Sequence, residues 1–253
     1  MRIDLNADVG ESFGAYRYGD DDGVLPSVSS ANIACGFHAG DPSVMRSTVQ
    51  LARRHGVAIG AHPGFQDLAG FGRREMHLPT AELESLVAYQ IGALAAIAAA
   101  EGARLSHVKP HGALYNMAAQ DVAMADAIAR AVRAVDGSLV LFGLSGSQLV
   151  AAGERAGLRV ASEVFADRAY RADGSLAPRS TPGAVLTDAT EVARRAVTMA
   201  SRQTVAALDG TSVSLKADTV CVHGDTPGAA VLARAVRSAL AAAGIEVLPP
   251  GRI

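Results

Sequence analysis

The feature that most constrains the fold is an alternation that runs nearly the whole length of the chain. Short β-branched or apolar runs are each followed by a longer amphipathic run rich in alanine, leucine and valine. Parallel strands cannot be joined by a tight turn and need long, usually helical, connections, so this pattern predicts parallel strands with crossover helices. Strands are expected over residues 3–7, 30–35, 57–61, 106–109, 139–142, 159–164 and 219–222, and helices over 42–55, 80–101, 122–135, 147–156, 189–208 and 227–243. Gly56, Gly102, Gly157 and Gly244 each stand between a helical run and an apolar one, where a left-handed cap hands the chain to the next strand. Asp41-Pro42 and Asp225-Thr226-Pro227 read as N-caps followed by proline in the first turn.

Such a chain either closes into a β/α barrel or stays open as a doubly wound sheet. Two observations favour the barrel: polar chemistry collects after nearly every strand, and no glycine-rich dinucleotide loop follows the first. Residues 245–248 leave the strand count at seven or eight. No proline-, glycine- or serine-rich linker divides the 253 residues, so one domain over 1–253 is expected. A net charge of −2 with no basic block gives no reason to expect a nucleic-acid partner. The apolar segment 92–100 is short and flanked by Glu82, Glu84 and Glu101, which predicts a packed helix and no membrane span. The opening MRIDLNADVGE is acidic where a signal peptide is apolar, so a cytoplasmic location is expected. Cys35 and Cys221 lack metal-ligand spacing and read as small buried residues.

The chemistry lies just past the strands, in DLNADVGE, ANIACGFHAGD, AIGAHPGFQDLAGFGRR, HVKPHGALYN, SEVFADR and VCVHGD. Four of the seven histidines (His38, His62, His111 and His223) sit within a few positions of the carboxyl ends of these strands, with Asp8, Glu11, Asp41, Glu163, Asp167 and Asp225. In a β/α barrel these loops share one face, so residues remote in sequence converge on one pocket. Lys109 is one of only two lysines against twenty-one arginines. At a strand end a lysine can simply reach solvent, but in a barrel it enters the shared pocket, where a compact cation can neutralise an anion. Simpler roles compete for several residues. Asp41 and Asp225 suit helix capping; GFGRR suits a turn that leaves Arg73 and Arg74 to meet an anion; Tyr115 and Asn116 suit either a helix start or a substrate contact. The loop 63–79 is long and glycine-rich enough to serve as a lid. Three histidines and a carboxylate from separate strands can assemble a divalent-metal site without a local motif, and no HExxH is present, so the metal stays open. GxxxxGK[ST] and GxSxG are also absent, which leaves acid–base and electrostatic catalysis.

The series DLNADVGESFG, NIACGFHAGD, IGAHPGFQDLAGFGRR, VKPHGALYN, EVFADRAYRADGSLAPR and CVHGDTPGA closely resembles the LamB/YcsF family, the A subunits of bacterial ATP-hydrolysing 5-oxoprolinases. The resemblance runs from Met1 to the last helix. It implies a seven-stranded parallel β/α barrel, distorted and TIM-like, of the glycoside hydrolase and deacetylase type. It also implies opening of the 5-oxoproline lactam to L-glutamate together with subunits B and C, which handle ATP and activate the ring. On this reading the catalytic set is drawn from Asp8, Glu11, His38, His62, Lys109, His111 and Glu163. Substrate contacts are expected from Asn6, Asp41, Arg73, Arg74, Tyr115, Asp167, Arg168, His223 and Asp225. The competing readings are a metal-dependent amidase or carbohydrate deacetylase and a ligand-binding subunit without catalysis. The sequence leaves open whether the chain forms a homodimer.

Overall fold

The structure of the chain, a computed structural model, describes residues 1–223 and 228–251, the side chain of His223 excepted. Among the described residues ten strands are formed: β1 (Arg2–Val9), β2 (Ser30–Ala34), β3 (Ala58–His62), β4 (Leu105–Val108), β5 (Val140–Leu144), β6 (Arg159–Phe165), β7 (Thr204–Ala206), β8 (Ser212–Ser214), β9 (Thr219–His223) and β10 (Glu246–Val247). Strands β1 to β6 pair in sequence order, all parallel; β9 then pairs with both β6 and β1, which closes a seven-stranded barrel. The open strand count is therefore settled at seven. Residues 246 and 247 form only a short parallel pair with Arg2 and Ile3, on the stretch of β1 that precedes its pairing with β9.

The helices are α1 (Asp21–Val24), α2 (Pro42–Arg54), α3 (Thr80–Ala100), α4 (Gly112–Ala118), α5 (Val122–Val135), α6 (Gln148–Arg155), α7 (Ala189–Arg202) and α8 (Ala229–Ala242). Their starts follow from their sequence: Asp41, Asp121, Ser147 and Asp188 each accept a backbone N–H of the first turn. Two expectations need correction. The helix expected to reach residue 208 stops at Arg202, because Gln203 turns left-handed (φ 53°) and the chain reverses through Asp209-Gly210 into the antiparallel hairpin of β7 and β8. The short helix α4 begins directly after His111. Helix α3 is long and apolar enough to cross a membrane by length and composition alone. It packs here as a barrel helix, with Leu83, Val87, Ile91, Leu94 and Ala98 buried and α2, α5 and β3 as neighbours.

Strand periodicity divides the buried residues into two sets. In β1, Ile3, Leu5, Ala7 and Val9 belong to the apolar layer shared with the helices, whereas the alternate residues Asp4, Asn6 and Asp8 face the barrel interior. The same alternation places Ser30 and Asn32 of β2, His107 of β4, Glu163 of β6 and Thr219 and Cys221 of β9 inside. Only around β5 is the interior apolar, with Val140, Phe142 and Ala161 in one cluster. A polar interior demands room for its side chains. At Gly60, opposite His107, an added Cβ would stand 2.1 Å from the imidazole Nε2.

Candidate active site

The polar interior is built upward in connected layers. Asp4, fully buried, accepts hydrogen bonds from the hydroxyls of Ser29 (2.7 Å), Ser30 (2.7 Å) and Thr219 (2.5 Å). Burial nevertheless raises its pKa to about 6, against the lowering effect of those hydroxyls. Above it, the Asn6 amide donates to Thr219 (2.7 Å) and Glu163 (2.9 Å), while the Asn32 amide donates to Asn6 (2.7 Å) and Asp8 (2.8 Å). His107 Nε2 lies 2.8 Å from the Asn32 carbonyl oxygen and therefore carries the proton. Burial, followed by the Lys109 charge, depresses this imidazole to a pKa of about 3, so it is neutral.

Lys109 crowns this network. Its ammonium is 2.9 Å from Asp8 Oδ1, 2.9 Å from Glu163 Oε1, 3.1 Å from Cys221 Sγ and 3.3 Å from Asn6 Oδ1. Burial alone would lower its pKa, but Asp8, then Cys221 and Glu163, outweigh that effect and hold it well above the ordinary lysine value. It is a fixed cation, 2% exposed, and does not reach solvent. Cys35 is buried as expected, whereas Cys221 is more than a small apolar residue because its sulfur touches the ammonium.

A histidine cluster sits over this layer. His62 Nδ1 is 2.7 Å from the Lys109 carbonyl, His111 Nε2 is 2.8 Å from the Phe71 carbonyl, and the remaining nitrogens, His62 Nε2 and His111 Nδ1, face each other at 3.0 Å. Glu11 Oε1 lies 3.5 Å from His111 Nδ1 and 3.7 Å from His38 Nε2, and Asp8 Oδ2 lies 3.4 Å from His62 Nε2. His38 stacks on His111 with ring centroids 3.7 Å apart, and among the described residues neither of its buried nitrogens has a hydrogen bond. Burial first, then neighbouring imidazoles, keeps His38 and His111 well below the usual histidine pKa. Glu11, His38, His62 and His111 offer one ligand atom each within 4.8 Å of one another, a group that could hold a metal ion. The loop after β3 supports it. Phe71 is held in the left-handed region (φ 55°), unusual for an aromatic residue, and so turns its carbonyl to His111. That loop is also tied by Gln90 to both backbone groups of Gly64 and by Gly72 to Ala113.

The cluster opens on a cavity of about 580 Å³, walled by Asp8, Glu11, His62, Lys109, His111 and Tyr115 together with Arg73, Arg168, Arg171 and Arg179. The loop between β6 and α7 supplies three of these arginines. Arg168 is fixed by the carbonyls of Ala177 (2.6 Å) and Ala184 (3.3 Å), and burial brings its pKa down to about 10.

Not every expected site residue comes to this cavity. Asp41 caps α2 and accepts from Gly14 N (2.7 Å), and Arg74 is bound to Asp67. Local turn and cap geometry has claimed both, as their proline- and glycine-rich settings allow. His38, Asn6, Glu163 and Asp167 are buried behind the cavity wall. Asp225 and the His223 side chain lie outside the described residues. The sequence reading passed over Asn32, His107, Thr219 and Cys221. Their signal was period-two polarity within strands that look like core.

Fold and site together define a β/α-barrel protein with an acid–base centre at the carboxyl ends of its strands. The chain belongs to the LamB/YcsF family, whose profile matches residues 3–253. It is 60% identical over 246 residues to the 5-oxoprolinase A subunit of Tolumonas auensis, covering 97% of this chain and 98% of that protein. It is 59% identical to the protein of the same name from Heliobacterium modesticaldum, with 98% and 97% coverage. The crystal structure of the lactam utilization protein from Thermus thermophilus superposes with a TM-score of 0.93 at 55% identity, covering 98% of this chain and 99% of that one. A cellobiose-phosphate cleavage protein of Enterococcus faecalis, so described only provisionally, shares the fold alone, at 14% identity and a TM-score of 0.53 over 97% of this chain and 96% of that one.

Proposed function

We propose that this chain is the A subunit of a 5-oxoprolinase and opens the lactam of 5-oxoproline to L-glutamate. The carrying observation is the whole-chain similarity to proteins of that name, joined to a cavity whose lining combines carboxylates and imidazoles with arginines. In the reaction a water oxygen bonds to the ring carbonyl carbon, the C–N bond breaks, and the nitrogen takes a proton to become the amine of glutamate. The amide nitrogen is a poor leaving group, so ATP on partner subunits B and C supplies the drive by phosphorylating the amide oxygen and leaving as ADP; ring opening then yields an acyl phosphate, from which a second water releases phosphate and L-glutamate. Coupling to ATP places the enzyme in the cytoplasm.

The geometry chooses among the candidates. Asp8 is on the cavity wall and Glu163 is not, so Asp8 is the base that activates water, held in place by the Lys109 ammonium, which Glu163 anchors from the other side. His111 is on the wall and His38 is not, so of the two only His111 can face the departing nitrogen. Arg168, whose position two carbonyls fix, and Arg73 receive the substrate carboxylate and any phosphate. Glutamate release from 5-oxoproline and ATP, measured with purified subunits B and C with and without this chain, tests the reading; the chain is expected to be required. Asp8→Asn should lower kcat by about 10²–10⁴, the usual worth of general-base catalysis. Unchanged turnover in that variant would reduce this chain to a ligand-binding subunit. Chelator-sensitive release of acetate from acetylated sugars, with no glutamate, would instead favour the deacetylase reading that the histidine cluster leaves open.

A further inference from the structure

We propose that Glu11, His38, His62 and His111 bind one divalent transition-metal ion of the zinc and cobalt class, with Glu11, His62 and His111 as its first three ligands. The argument starts from where the ring protons must be. The carbonyls of Lys109 and Phe71 can only accept, so His62 carries its proton on Nδ1 and His111 on Nε2. Each neutral ring then presents a lone pair on its other nitrogen, and these two nitrogens face each other at 3.0 Å. The nearest charged atoms, Glu11 Oε1 and Asp8 Oδ2, are also acceptors. Only a positive species between them reconciles this arrangement. One shared proton would satisfy a single pair and leave both buried nitrogens of His38 without a hydrogen bond; a cation accounts for all three rings.

The dimensions agree. Ligand atoms of a tetrahedral ion with bonds of about 2.0–2.1 Å stand about 3.3 Å apart. Here the separations are 3.0 Å (His62 to His111), 3.5 Å (His111 to Glu11) and 3.7 Å (His38 to Glu11). The stack of His38 on His111, with planes 2° apart, means that one ion cannot lie in both ring planes. His38 therefore completes the set by tilting, and it has no hydrogen bond to lose in doing so. Two glycines leave that freedom: a Cβ at Gly64 would stand 2.6 Å from His38 Nδ1, and one at Gly72 2.8 Å from His38 Cβ. Three imidazoles and one carboxylate suit zinc, cobalt or nickel and do not suit the all-oxygen preference of magnesium or calcium. A bound ion would supply a Lewis acid beside Asp8. The proposal does not depend on the lactam reading, and its test contains no lactam.

The full chain, stripped with chelator, is titrated with Co²⁺ and then Zn²⁺. Bound metal is counted after desalting, and the cobalt d–d spectrum and the thermal midpoint are recorded. Expected are one equivalent of retained metal, cobalt bands of a nitrogen–oxygen tetrahedral site, and a midpoint that rises with Zn²⁺ by mass action. His62→Ala and Glu11→Gln should weaken binding at least 100-fold, whereas His55→Ala, an exposed control, should not. Should His62→Ala fail to fold, His38→Ala and Gly64→Ala serve in its place, with melting in the absence of metal reporting their integrity. No retained metal, or binding that survives in folded His62→Ala or His38→Ala, would overturn the proposal.

Discussion

Two adjacent layers of one barrel interior, both polar and both buried, differ in a single respect. In the lower layer, from Asp4 up to Lys109, every buried side-chain nitrogen and oxygen of Asp4, Asn6, Asn32, His107, Lys109 and Thr219 has a hydrogen bond, and among the described residues of that layer Glu163 Oε2 is the exception. In the layer above, His38 has none, and His62 and His111 turn lone pairs toward each other. Burying a polar group without a partner costs about 1–3 kcal/mol, so a closed network is self-sufficient, whereas an open one is stabilised by whatever binds there. The lower layer is scaffold that positions Asp8 and Lys109. The upper layer is where chemistry comes from outside.

The largest effect should come from breaking the lower layer at its only cation. Lys109→Met leaves Asp8 and Glu163 buried without a counter-charge, and removing one partner of a buried pair costs about 3–5 kcal/mol. Urea denaturation should show that loss, together with loss of glutamate release. A cost below about 1 kcal/mol would mean that Lys109 is not the counter-charge on which Asp8 and Glu163 depend.

Asp4 gives the next effect, visible as a function of pH. Its carboxyl titrates near 6 in the folded chain and near 3.8 when unfolded. Between those values the folded state holds a proton that the unfolded state has lost, so the Asp4 contribution to stability falls as pH rises through the window. A shift of about two units corresponds to roughly 3 kcal/mol. Asp4→Asn should therefore gain on the wild type by about that much from pH 3.5 to 6.5 in parallel denaturation curves; a constant difference would contradict the assignment. A smaller loss, about 1–3 kcal/mol, is expected for Gly60→Ala, whose methyl would enter the His107 ring and displace it from Asn32.

The upper layer was far easier to read from sequence than the lower. His38, His62 and His111, and Lys109 just beneath them, announce themselves because they stand at or just past strand ends, where a core residue has no reason to be. Asn32, His107 and Thr219 lie within strands that β-branched neighbours mark as core, and singly each reads as an isolated polar residue that the core tolerates. Only the spacing Asp4-Asn6-Asp8, repeated by Ser30-Asn32 and His107-Lys109, betrays a polar inner face. Strand order and helix starts were legible because caps and glycines mark them locally. The hairpin of β7 and β8 was not, because alanine and leucine around residue 207 prolong a helical pattern that the left-handed Gln203 ends. Nor could any spacing foretell that Asp41 would be used by its own helix and Arg74 by Asp67.

The smallest stability effect is expected at His38, and it separates the two layers most directly. Truncating a fully buried ring ordinarily costs about 2–5 kcal/mol in lost packing. His38→Ala, however, also removes two buried nitrogens that have no hydrogen bond, each costing about 1–3 kcal/mol to bury, so the two contributions nearly cancel. Metal-free protein should lose no more than about 1 kcal/mol on this substitution, the balance of those opposing contributions. The same change at Asn32, which joins Asn6, Asp8 and His107, breaks a satisfied network and should cost clearly more. Equal losses at the two positions would mean that His38 has an internal partner after all, and that the upper layer is as closed as the lower. A His38→Ala variant that is nearly as stable as the wild type without metal, yet gains nothing from added Zn²⁺, would show that the open layer is completed only by its ligand.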